Sequence, residues 1–247
     1  MEELKEFKGF GEKETFNNMK YEFTWETKVI ELFGRTVTLH RIKAVAEFGN
    51  VKIGDLGGWI AKEENLSHGG NAWVYEDAKV YDDAKVWGDA KVYGNAQFCH
   101  DAEVYDDADV YSDAKVYGDA EVYGDAEVYG DAEVYGNARI YDDASVYGNA
   151  NVYGNASVYG NAEVYGNADI WGSFVKVYDN AKVYCHAKVR GNAKICNDAK
   201  VYGNAKVYDN AKICGDARVY DDAEVYYDAQ VWGNAKVCGS EKIYWNV

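Results

Sequence analysis

The chain has 247 residues, no proline, 23 tyrosines and a formal net charge of −16. It has no run of about 18 apolar residues, which excludes a membrane-spanning helix. The acidic balance disfavours nucleic acid, whose phosphates need a basic surface.

The first residues, MEELKEFKGFGEKETF, are charged throughout and lack the apolar core of a signal peptide. From Lys20 to Phe48 the pattern becomes that of strands. KYEFTWETKVI alternates apolar and polar residues, Leu32-Phe33-Gly34-Arg35 supplies a turn, and TVTLHRIKAV reads as the returning strand. A hairpin in this place covers the unpaired edge and open core that the first coil of a solenoid would expose. Residues 1–70 therefore form a capping segment, and residues 71–247 form the repeat.

The next words, VKIGDLGGWI and ENLSHGGNAWVYEDAKV, lead into the first regular coil. The GDLGGW glycines lack the Lys-Ser/Thr of a Walker motif and are expected to let the backbone turn tightly under Trp59. Over roughly residues 40–100, these words resemble the opening segment of YdcK-like hexapeptide-repeat proteins of bacteria and their phages. That family is usually described as acyltransferase-like by fold. The resemblance implies a left-handed parallel β-helix and little about a reaction.

From Ala72 the chain is written in six-residue words: Ala, any residue, Val or Ile, usually Tyr, then two corner residues drawn from Gly, Asp and Asn. Alanine holds the first slot from Ala72 to Ala168 and again from Ala181 to Ala235, a total of 27 words with one extra residue near Phe174-Val175. So strict a period predicts a solenoid. Ala and Val lie two apart and share the inner face of a short strand, while the residue between them and the Tyr point outward. Gly, Asp and Asn tolerate the left-handed backbone that a corner needs. Three words make a triangular coil of 18 residues. Nine to ten coils at about 4.8 Å each make an all-β rod roughly 45 Å long.

The 18-residue count sorts the outer slots into three faces. The first carries Tyr75, Tyr93, Tyr111, Tyr129, Tyr147, Tyr165, Tyr184, Tyr202 and Tyr220, ended by Cys238. Cys99, Trp171 and Arg190 interrupt the second face. Trp87, Cys196, Cys214 and Trp232 stand in the tyrosine slot of the third. Offset ring contacts along a parallel sheet explain such columns structurally, and a flat apolar strip with hydroxyl edges also suits a partner or a sugar chain. Charge is split along the rod: residues 71–170 carry 5 basic and 21 acidic side chains, and residues 171–247 carry 11 and 9.

Little in the words suggests chemistry. His100 follows Cys99 at a corner and His186 follows Cys185 at another, and each histidine merely replaces a corner residue. They are weak candidates for the general base of an acyltransferase. Adjacent Cys and His at a corner are expected to point apart, which disfavours a nucleophile pair. The five cysteines form no CxxC pair and read as reduced thiols of a cytoplasmic protein. Cys196 and Cys214, one coil apart, are too few for a structural zinc site. Asp89, Asp107, Asp125 and Asp143 should form a vertical column of like charges and are weak candidates for a cation.

The sequence therefore reads as a non-catalytic binding or scaffold protein without a cofactor. Its flat tyrosine-lined faces would mediate self-association, as a dimer or trimer, or partner binding. Two other readings stay open. One is an acyl-CoA-dependent O- or N-acyltransferase working with coenzyme A at an inter-subunit cleft, and the other is a module that sequesters a small ligand or polysaccharide.

Overall fold

The computed structural model describes residues 19–32 and 34–246. It is all-β apart from one 3-10 turn at Glu63–Asn65. Each word of the repeat forms a strand of two to four residues, and every third strand joins the same parallel sheet. The Glu127 rung, for example, pairs in register with Asp109 below and Ser145 above. Three sheets result, one per face of the prism. Backbone N–H groups of one rung donate to carbonyls of the next, as in Tyr111 to Val128 at 3.0 Å and Glu127 to Ala144 at 3.0 Å.

The Ala and Val slots fill the interior. From Ala72 to Val231 these side chains are buried in one continuous core. A column of Ala and Val has no polar atom to satisfy and differs little in width from rung to rung, so coils stack without strain. The extra residue does not end the stack. Val175 takes the buried slot while Phe174 is expelled to solvent. The register then shifts by one, so that Ser157 pairs with Lys176.

Corner residues adopt positive φ, as in Gly130 at 73° and Asp142 at 58°. Where the left-handed residue is acidic, its side chain does more than tolerate the corner. A carboxylate oxygen of Asp142 accepts from the N–H of Gly160, the corner above, at 3.2 Å. Asp179, Asp209 and Asp221 do the same for Asn197, Tyr227 and Gly239. These bonds satisfy corner N–H groups, a role that tolerance of positive φ did not reveal.

At the N-terminal end, strands β1 (Tyr21–Leu32) and β2 (Arg35–Ala44) form an antiparallel hairpin that continues the second-face sheet through β3 (Leu56–Ile60). Phe33, in the expected turn, lies outside the described residues, as do residues 1–18 of the capping segment. Tyr21, Ile42 and Ala44 close the end of the core. Two buried polar side chains fasten this cap. Lys20 donates to the carbonyl of Ala72 at 2.7 Å, and burial brings its pKa down to about 8. Asn65 accepts from the N–H groups of Ala61 and Lys62 and donates to the carbonyls of Asp82 and Ala84.

Of the GDLGGW glycines, Gly54 serves the expected turn, at φ 95°, whereas the other two have a different role. Gly57 and Gly58 lie within β3, and a Cβ on Gly57 would sit 2.5 Å from Ile42 and 2.6 Å from Trp73. They are glycine because partners distant in sequence close over the strand there.

Candidate functional site

Side chains in the tyrosine slot leave the prism and stack upon those of neighbouring rungs. On the first face, rings from Tyr93 to Tyr220 form one unbroken stack of eight. Its seven ring-to-ring steps measure 4.7–5.0 Å, with planes within 4° of parallel. Tyr75 shares the column but not the stack. It meets Tyr93 edge-on at 86°, because the Trp73 ring stands beside it. Hydroxyls of the stack reach forward along the rod: Tyr111 donates to Glu127 at 3.2 Å and Tyr147 to Glu163 at 3.0 Å. Burial, followed by the neighbouring carboxylate, raises the pKa of both hydroxyls. These are half-buried rings with fixed orientation, which present area without side-chain entropy to lose.

The other two faces are interrupted. On the third, rings stack from Trp87 to Tyr178. The column then gives way to Cys196 and Cys214, which are joined as a disulfide with Cα atoms 4.8 Å apart. This corrects the reading of five reduced thiols and removes the cysteine argument for a reducing compartment. Among the described residues no helix is long and apolar enough to cross a membrane. On the second face Arg190 replaces a ring, its guanidinium 4.7 Å from the Tyr208 ring and 5.8 Å from that of Trp171.

The N-terminal hairpin lies across the start of the second face. Leu39 packs there with Trp59, Tyr81 and Cys99 in a small apolar cluster of their own. Ion pairs from Lys28 to Asp77 and from Arg35 to Asp82, at 3.2 and 2.7 Å, hold the hairpin down. At its edge an open groove of about 390 Å³ is lined by Arg35, Lys62, Asp82, Asp83, His100 and Asp101.

His100 and Cys99 meet at this groove. The Cys99 Sγ lies 3.4 Å from His100 Nδ1, contrary to the expectation that the two side chains point apart. Cys99 occupies the outward ring slot, and His100, at φ 61°, is the left-handed corner that turns back beside it. Directly below His100 stands Asp82, the corner one coil earlier, also left-handed at φ 58°. Burial pushes the Cys99 thiol up, while its bond from Tyr81 acts in the opposite direction. Buried and protonated, that thiol is not a nucleophile.

The remaining sequence candidates stay apart. His186 is exposed and Cys185 beside it occupies the left-handed corner itself. Asp89, Asp107, Asp125 and Asp143 stack at one corner as expected, and Asp89 accepts from the N–H of Asn71 at 2.8 Å. Among the described residues, no grouping of three candidate metal ligands includes any of these four; the one such grouping is Asp82, Cys99 and His100. Neither a family model nor a curated protein matches the chain.

Proposed function

We propose that the protein is a non-catalytic β-helical scaffold that pairs with a second copy of itself, antiparallel, through the first face. The observation that carries this reading is the sign of the charges flanking the tyrosine stack. After Trp73 and Lys91 on the first two rungs, the outward residues beside these rings run Asp109, Glu127, Ser145, Glu163, then Lys182, Lys200, Arg218 and Lys236, one per rung in continuous register.

A two-fold axis between the Glu163 and Lys182 rungs sets Asp109 against Lys236, Glu127 against Arg218, Ser145 against Lys200, and Glu163 against Lys182. No like charges meet in this register, and each contact occurs twice, as closed two-fold pairing requires. Parallel copies in register would instead place acid on acid and base on base. The tyrosine strip between supplies apolar area with polar edges, the composition of many interface cores. The other faces suit this less well, since the hairpin, Arg190 or the disulfide breaks each of them.

Light scattering on the purified protein tests the reading. Wild type should have the mass of a dimer, and Tyr129, Tyr147 and Tyr165 changed together to Ser should give a monomer with β-sheet circular dichroism retained. The matched second-face triple, Tyr117, Tyr135 and Tyr153 to Ser, should leave the dimer intact. A wild-type protein that is monomeric at high micromolar concentration would refute self-association.

A further inference from the structure

We propose that Asp82, Cys99 and His100 form a binding site for a divalent transition metal of the zinc class. They offer a carboxylate oxygen, a sulfur and an imidazole nitrogen, all within 4.8 Å of one another. With metal–sulfur and metal–nitrogen bonds of about 2.3 and 2.0 Å, a tetrahedral ion needs these two donors roughly 3.5 Å apart. The observed Sγ–Nδ1 separation is 3.4 Å.

The repeat explains why the three converge. Successive rungs place Asp82 and His100 one above the other at a left-handed corner. Cysteine in place of the usual ring leaves room beside them, under the hairpin. Arg35 and the His100 N–H both bond Oδ2 of Asp82, at 2.7 and 3.4 Å, so Oδ1 can turn to the ion. Arg35 then serves as the outer partner that orients a metal-binding carboxylate. Asp83 and Asp101 line the same groove and offer further oxygens for an open fourth position.

Binding would form a sulfur–metal bond as the Cys99 thiol releases its proton to solvent. One thiolate and one carboxylate then balance the two positive charges of the ion. Such a mixed N, O and S set suits zinc or cobalt better than magnesium or calcium, which prefer oxygen alone. The site does not depend on the dimer, since all three ligands come from one chain and lie on the second face and the corner that follows it.

The chain carries its own control. Cys185 and His186 repeat the Cys-His dipeptide one slot later in the word, where both are exposed and no cluster forms. Titrating the intact protein with Co(II) should give one equivalent of binding with a sulfur-to-cobalt charge-transfer band, displaced by Zn(II). Cys99→Ser should abolish the band. His100→Asn keeps a residue suited to positive φ and should weaken Co(II) binding roughly a hundredfold or more. Cys185→Ser should bind as wild type does. If Cys99→Ser loses its circular dichroism, His100→Asn decides the matter. Folded wild type without the band would overturn the site, as would a band that survives Cys99→Ser or vanishes in Cys185→Ser.

Discussion

The Tyr208 hydroxyl donates to Glu224 at 2.9 Å, one rung further along the second face. Lys206 and Lys242 reach the same carboxylate at 3.1 and 3.2 Å. The Lys206 bond and then the Tyr208 bond hold the Glu224 carboxyl down to about 2. Its folded pKa thus lies below the unfolded value of about 4.3, so its stabilisation is present above that pH and is lost as pH falls toward 2. Glu224→Gln should destabilise the fold at pH 7 by about 1 kcal/mol, since both lysines are half exposed, and so lower the thermal midpoint. Melting curves of the two proteins should converge as pH approaches 2. A gap that persists at low pH would mean that the carboxylate's charge is not what stabilises this corner of the sheet.

Inside and outside differ by a single residue. Val128 is fully buried in a column of Val and Ala, whereas Lys194 is an exposed outward residue. Val128→Asp should cost several kcal/mol, because the carboxylate finds neither partner nor water there. Disruption should begin locally, since each coil touches only its neighbours. Lys194→Gln should change the midpoint little. Hydrogen exchange would locate the loss around the Val128 rung, and a loss spread evenly over all coils would count against this picture.

This division was legible from the period alone, as were the three faces and the place of the extra residue near Phe174-Val175. Ala and Val at spacing two dictate which side is core whatever lies elsewhere in the chain. The meeting of Cys99 with His100 was not legible. It depends on a left-handed φ at His100 and on a hairpin some 60 residues earlier lying over the same rung. Gly57 and Gly58 were misread for a similar reason, since Ile42 and Trp73 set their role. The 18-residue spacing of Cys196 and Cys214 announced their proximity, but spacing carries no information about oxidation.

That disulfide closes a loop of one coil. A loop of this size restricts the unfolded chain by an amount worth about 3 kcal/mol. Reduction should lower the denaturation midpoint by a corresponding amount. Cys196→Ala with Cys214→Ala should lower it comparably and make it indifferent to reductant. A wild-type midpoint that ignores reductant would show that the bridge contributes nothing.

The acidic corner column gives a stabilising prediction. Where Asn faces Asp across a rung an amide–carboxylate bond forms, as from Asn180 to Asp198 at 3.2 Å and from Asn204 to Asp222 at 3.1 Å. Asp107 and Asp125 are carboxylates stacked one coil apart in a column of like charge. Asp107→Asn should replace repulsion by such a bond, stabilise the fold by roughly 0.5–1 kcal/mol and raise the midpoint in differential scanning calorimetry. A lower midpoint would mean that the carboxylate itself is needed there.

Charge reversal within the first face tests the antiparallel pairing most directly. Glu127→Arg would bring arginine against Arg218 of the other copy, twice in each dimer, and Arg218→Glu would bring acid against Glu127. Each single change should raise the dimer dissociation constant measured by sedimentation equilibrium, by tenfold or more if each repeated contact costs about 1 kcal/mol. The double change, Glu127→Arg with Arg218→Glu, restores opposite charges across the axis and should recover the wild-type constant. If the double variant is as weak as the singles, or if all four proteins sediment as monomers, the antiparallel scaffold is contradicted.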